Sequence, residues 1–333
     1  LVVMEDSVMP LSDANLLLNL AAGIGLVTVS GLPANAAFSA GINLNNGVWQ
    51  LLPSQLTNLK LIVPPNSDED FTLTFSTQIT VLLATVTLTL ATTVVHVVGV
   101  ADIPTLSVEN AVGLEDSTSI PISVTSALTD TDGSETLSFT IKDLPPGFTP
   151  LIGINNGDGT WSLTKNEISS LAIKPPANWS GDATYTIIAT STEREGDSTI
   201  KTATGHIHID PVADAPVITS TVHSGTEDTS LSLNLGISLS DKDGSEHLSS
   251  VIISNLGAGF SLIGATNNGD GTWNVSASNI DSIKLVPPAN WSGDTSFTVT
   301  AISQEGINGP KATSQAVFNA HFEAFADAPQ LQV

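Results

Sequence analysis

Two short stretches carry the chemistry: Asp130-Thr131-Asp132-Gly133-Ser134-Glu135 and Asp241-Lys242-Asp243-Gly244-Ser245-Glu246. Each sets three carboxylates within six residues and bends them at a glycine. Like charges at this spacing repel, and a solvated turn gains nothing from them. A hard divalent cation reverses that balance, because Ca²⁺ takes six to eight oxygen ligands from carboxylates, carbonyls and water. Glycine permits the tight bend that turns those oxygens inward. Both stretches therefore read as Ca²⁺ loops. They are not EF-hands, since the third acidic position, the distant glutamate and the flanking helices are missing.

More acids accompany the loops at a fixed spacing. Glu115-Asp116-Ser117 returns as Glu227-Asp228-Thr229, Asn155–Trp161 as Asn267–Trp273, and Pro175–Asp182 as Pro287–Asp294, each 112 residues later. Ala213-Asp214-Ala215-Pro216 returns as Ala326-Asp327-Ala328-Pro329. A divergent first copy has Glu5-Asp6-Ser7, Asn45-Asn46-Gly47-Val48-Trp49, Pro64-Pro65-Asn66 and Ala101-Asp102-Ile103-Pro104. Where the others have the acidic loop, it has the neutral Ala21-Ala22-Gly23-Ile24-Gly25.

The elements that must position these acids are all β. Short Val/Ile/Thr/Phe runs (119–124, 137–141, 185–189, 206–209) alternate and are punctuated by Gly, Pro, Asn and Asp. Asn-Gly-Asp-Gly before Trp161 and Trp273 predicts a hairpin turn rather than a nonapeptide calcium repeat. Lys165–Leu171 is the one place for a helical turn. The expected fold is all-β: three tandem Ig-like or cadherin-like Greek-key sandwiches, end to end as a rod. The units span residues 1–103, 104–215 and 216–328, and 329–333 would begin another. With a truncated first strand at Leu1 and no signal peptide, the polypeptide is expected to continue in both directions.

In such a sandwich the loop after the second strand lies at the top, beside the incoming linker, and the Glu-Asp pair lies at the bottom, beside the outgoing one. The first junction then gathers Glu5, Asp6, Asp102, Asp130, Asp132 and Glu135. The second gathers Glu115, Asp116, Asp214, Asp241, Asp243 and Glu246, and Glu227, Asp228 and Asp327 would begin a third. Asp182 is expected at the same bottom end, with Asp68, Glu69 and Asp70 in its place in unit one.

This pattern of strand glutamate, acidic linker and Asp-x-Asp loop resembles the interdomain calcium arrangement of cadherins. Leu144-Pro145-Pro146-Gly147-Phe148 and Pro-Pro-Ala-Asn-Trp-Ser-Gly-Asp are similar to the cadherin-like and bacterial Ig-like repeats of giant RTX adhesins, over residues 104–329 well and 1–103 partially. The resemblance implies type I-secreted surface proteins of Gram-negative bacteria whose repeats bind calcium between modules and hold an adhesive tip off the outer membrane. The cadherin linker's Asp-x-Asn-Asp-Asn is absent here.

Composition bounds the rest. With 33 acidic residues against 9 basic, a net charge of −24 argues against nucleic acid and anionic membranes as partners. No cysteine is present, so bound metal is the natural cross-link for a secreted chain. The apolar run Ile79–Val100 holds six threonines and a histidine, which suits two consecutive strands rather than a membrane span. Trp49, Trp161, Trp179, Trp273 and Trp291 recur at matched positions and read as core rather than a sugar platform. His206 and His208 share a strand face, but unit three has Asn319 and His321 there, so a surface or core role is expected over chelation. The sequons at Asn178, Asn274 and Asn290 carry little meaning in a bacterial chain.

No nucleophile elbow, zinc-protease motif or phosphate loop is present, so the chain reads as a non-enzyme. The expected function is a calcium-stabilised extender of a bacterial surface adhesin, monomeric, with neighbouring repeats as its partners. The alternative is a glycan- or protein-binding module with unit one as the interaction surface; an exposed apolar patch there would favour it.

Overall fold

The computed structural model describes residues 1–11, 25–219 and 222–328. Most of the neutral segment 21–25 and the segment 329–333 lie outside the described residues. The chain is all-β, built as three tandem sandwiches with three separate cores.

Each sandwich faces a six-stranded sheet with a three-stranded one. In unit two the large sheet runs Ala111–Leu114, Ser198–Asp210, Gly181–Thr192, Thr136–Lys142, Trp161–Thr164, Ile154–Asn155. The first two strands in this order are parallel, and the other pairs are antiparallel. Units one and three repeat this order. Alternation decides which side faces in: Leu137, Phe139 and Ile141 on one strand and Ala183, Tyr185, Ile187 and Ala189 on the next are buried. The small sheet (Ile120–Pro121, Ala172–Lys174, Thr149–Pro150) closes the core with Ile120, Ile122 and Ile173.

The local readings resolve as follows. Lys165–Ile168 forms one helical turn, with Thr164 and Glu167 as a reciprocal capping box. Asn155 pairs with Trp161 across a hairpin whose Gly157 and Gly159 sit at φ 84° and 88°. The apolar run becomes the two arms of a hairpin, Phe71–Val81 and Ala84–Val98. Among the described residues no helix is long and apolar enough to cross a membrane. The five tryptophans are partly buried against the cores, with Trp179 edge-on to Phe148 (4.9 Å) and Trp291 to Phe260 (4.8 Å).

Candidate metal centres at the two junctions

The bottom of a unit is shaped by two left-handed residues. At the Glu-Asp turns, Asp6 and Asp116 have φ 55° and 59°, and in the Pro-Pro turns Asn66 and Asn178 have φ 52° and 53°. Asp and Asn tolerate this conformation best after glycine, which explains the residue types. The turns are tied together: the Asn66 N–H donates to Asp6 Oδ1 (3.1 Å) and the Asn178 N–H to Asp116 Oδ1 (2.9 Å). Each Asn side chain also reaches the linker aspartate, Asn66 to Asp102 Oδ2 (2.6 Å) and Asn178 to Asp214. The preceding glutamates point inward, and linker N–H groups hold one oxygen of each: Val100 donates to Glu5 (2.6 Å) and Val212 to Glu115 (2.9 Å).

The top of the next unit brings the acidic loop. The Asp132 N–H donates to Asp130 Oδ1 (2.9 Å) and the Ser134 N–H to Asp132 Oδ1 (2.7 Å), around Gly133 at φ 98°. Asp241, Asp243, Ser245 and Gly244 repeat this, with the same two distances. Asp102 N–H donates to Glu135 Oε1 (2.6 Å) and Asp214 N–H to Glu246 Oε1 (2.8 Å), so the linker is clamped to the loop.

Two ligand candidates were missed in the sequence. Glu193 and Glu305, at the tip of the last hairpin in units two and three, are buried against the loops. Acidic oxygens of Glu5, Asp130 and Glu193 lie within 4.8 Å of one another, as do those of Glu115, Asp241 and Glu305. The signal was available: Glu193 and Glu305 are themselves 112 residues apart. Neighbouring sequence hid them, because Arg194-Glu195-Gly196 and Gly306-Ile307-Asn308 share little.

Among the described residues, every buried charged side chain sits at a junction: Glu5, Asp130, Glu135 and Glu193 at the first, and Glu115, Asp241, Glu246 and Glu305 at the second. Among the described residues, and apart from the Tyr185 hydroxyl, every buried side-chain polar atom without a partner is an oxygen of one of these glutamates. Such atoms cost about 1–3 kcal/mol each, more when charged. Burial, opposed by the Val100 or Val212 N–H and aided by neighbouring carboxylates, pushes Glu5 and Glu115 up to about 7. Burial likewise raises Glu135, Glu193, Glu305, Asp102 and Asp214. Asp132 and Asp243 go the other way: burial pushes them up, but donors from Ser134 or Ser245 and the preceding unit outweigh it. The donor set is all oxygen, with orphaned carboxylate atoms converging, and it fits a hard cation.

The two junctions differ at the hairpin tip, where Glu195 and Asp197 give way to Ile307 and Gly309, and in one compensated exchange. Asp68 accepts an ion pair from Arg194 (3.1 Å), and its N–H donates to Asp132 Oδ2 (3.2 Å). One period later stand Ser180, which donates to Asp243 (3.2 and 3.1 Å), and Gly306. An acid and a base are lost together.

Other expected residues stand elsewhere. Asp182 lies outside the junction cluster: it opposes His208 in the strand register and its carboxylate meets His208 Nδ1 at 2.7 Å on an exposed face. Asp70 with His96 and Asp294 with His321 repeat the pair, each at 2.7 Å, so these histidines are surface partners of aspartates. At the far end, Glu227 accepts from the Phe325 N–H (2.5 Å), Asp228 from the Asn290 N–H (2.7 Å), and Asp327 is exposed. Among the described residues no acidic loop faces these three.

With this geometry in view, comparison with known proteins gives the following. Residues 213–319, about a third of the chain, match the family described as Bacterial Ig domain. No curated protein matches. Among solved structures, the chain is similar to mouse cadherin-23 EC22-24 at 13% identity, covering 90% of this chain and 86% of that one, with a TM-score of 0.39. For human CDH23 EC21-23 the values are 14%, 88%, 88% and 0.42. For Drosophila N-cadherin EC1-4 they are 15%, 89%, 66% and 0.33. The fold is all-β, in tandem sandwiches, and the Bacterial Ig match falls on the third of them.

Proposed function

We propose that this chain is a calcium-stabilised extender region of a large bacterial surface adhesin of the RTX type, with units at 1–103, 104–215 and 216–328. It would stand outside the cell after type I secretion and project an adhesive region used in attachment and biofilm formation. One observation carries the reading: carboxylates are buried with orphaned oxygens at both junctions, while no other charged side chain among the described residues is buried.

Glu5, Asp102, Asp130, Asp132, Glu135 and Glu193 would hold Ca²⁺ at the first junction, and Glu115, Asp214, Asp241, Asp243, Glu246 and Glu305 at the second. The ion supplies positive charge that lets these groups stay ionised while buried. The chain supplies the frame. Asn66 and Asn178 fix the linker aspartates, and Ser191 and Ser303 hydroxyls donate to the Asp102 and Asp214 carbonyls (2.5 Å each). Linker and hairpin are thereby pinned to one another, and a hinge becomes a strut. Even sites of about 10⁻⁴ to 10⁻³ M affinity fill at millimolar calcium. In a low-calcium cytosol the junctions would stay loose, which suits secretion unfolded.

Thermal unfolding and small-angle scattering, first in EDTA and then in a few millimolar Ca²⁺, test the reading. A higher melting temperature with a longer, stiffer particle is expected. No change in either would overturn it. The exposed apolar hairpin of unit one favours a second, interaction role for that unit alone.

A further inference from the structure

The last hairpin of each unit ends at the top, where units two and three meet the unit before them. There Ser191 and Glu193, or Ser303 and Glu305, look into the junction. One period earlier, the same two places in unit one hold Ile79 and Val81, opposite Val86 and Ala84. The core face of the sheet thus runs on past its own core. Ile79, Val81, Val86 and Leu88 are all exposed, and Leu82 and Leu83 at the tip are 96% and 101% exposed. Both tip leucines have positive φ, 48° and 74°, a conformation that branched side chains adopt only at a cost.

The edge of this hairpin is equally unguarded. Among the described residues, no strand pairs with the outer edge of Ala84–Thr93. In unit two the equivalent edge carries Lys201, a charge that discourages pairing, and in unit one the strand register puts Leu88 in that place. From residue 71 to 101 there is no Asp, Glu, Lys or Arg.

We infer that this end of unit one is a self-association surface, on which a second copy of the chain docks hairpin to hairpin. At both junctions the equivalent face is covered by another sandwich end, so a sandwich end is the shape that fits. The described bottom ends carry Glu-Asp pairs and linker aspartates, and docking one here would bury carboxylates against leucines. The uncharged hairpin matches itself. In a chain of net charge −24, it is a place where two copies approach without bringing acids together. The contact is isologous, joining Leu82, Leu83 and the Val86–Leu88 edge to their symmetry mates.

Light scattering and sedimentation of the whole chain, from about 1 to about 200 µM, where a modest interface titrates, provide the test. The mass should rise from 34.3 kDa toward twice that value, equally in Ca²⁺ and in EDTA, so the result is independent of the calcium reading. Leu82→Asp with Leu83→Asp, at positions too exposed to threaten folding, should weaken association at least about tenfold. Leu88→Lys, which sets the guard found at Lys201 in the same register position, should weaken it too. A monomer across the whole range overturns the inference, as does a dimer that the double leucine variant leaves unchanged.

Discussion

Glu5 and Glu115 set the behaviour of the junctions at the scale of single residues. In the cation-free chain each is pushed from 4.5 to about 7, chiefly by burial. The folded chain then binds protons more tightly than the unfolded one between these values. The stability these two groups contribute is therefore greatest at acid pH and is lost as pH rises through 7, by on the order of 3 kcal/mol per glutamate. Bound Ca²⁺ requires the ionised form, so it adds least at low pH and most above 7. Melting temperatures in EDTA should fall from about pH 5 to about pH 8 while those in calcium rise; parallel curves would show that the cation does not engage these groups. Glu193→Gln isolates one junction. It removes one of the buried like charges, so the cation-free protein should gain about 1 kcal/mol at pH 8, while the calcium-induced increase in melting temperature should fall by about half, since Glu305 leaves the second junction intact.

At the scale of elements, the sheets tolerate one misfit, and the repeats show how to remove it. Tyr185 is 1% exposed, its hydroxyl has no partner, and burial pushes it up to about 12. One period on, the same place is Phe297. Tyr185→Phe should raise stability by about 1 kcal/mol by removing an unsatisfied hydroxyl, measured by urea unfolding. Gly205 faces Tyr185 in the register and a Cβ there would overlap its ring, so Gly205→Ala should cost about 1–3 kcal/mol. Elements of this kind were legible in the sequence because side-chain type follows backbone need. Asn-Gly-Asp-Gly demanded a turn, alternating Val and Thr demanded strands, and the 112-residue period laid out three sandwiches. The acidic loops and linker aspartates were legible for the same reason. Glu193 and Glu305 were not, because nothing local marks a lone glutamate at a hairpin tip as buried; only the strand register brings it to the preceding unit. Asp182 differs from them, since strand parity turns it outward to His208. The bare hairpin of unit one was visible as an apolar run, but its exposure depends on where the facing sheet stops.

For the whole molecule, two electrostatic costs must be separated. One is the diffuse repulsion of a chain with net charge −24. Salt screens that term, since the Debye length shrinks from about 10 Å at 0.1 M to about 3 Å at 1 M. The other is the local cost of eight buried acids, which mobile ions cannot approach and salt screens little. Sodium chloride should therefore raise the melting temperature in EDTA by a few degrees, because relief of about 1 kcal/mol moves a unit of this size by roughly 4–8 °C. Millimolar Ca²⁺ should add a further increase that survives in about 0.5 M salt, where surface attraction is largely gone. Unit one has no acidic top hairpin, so hydrogen exchange should localise the calcium effect to residues 99–104, 130–135, 193–197, 211–216, 241–246 and 305–309 and leave 78–90 unchanged. If salt alone reproduces the whole calcium shift, or protection spreads evenly over the three units, the ion acts as a counterion to the surface and the junctions are not its sites.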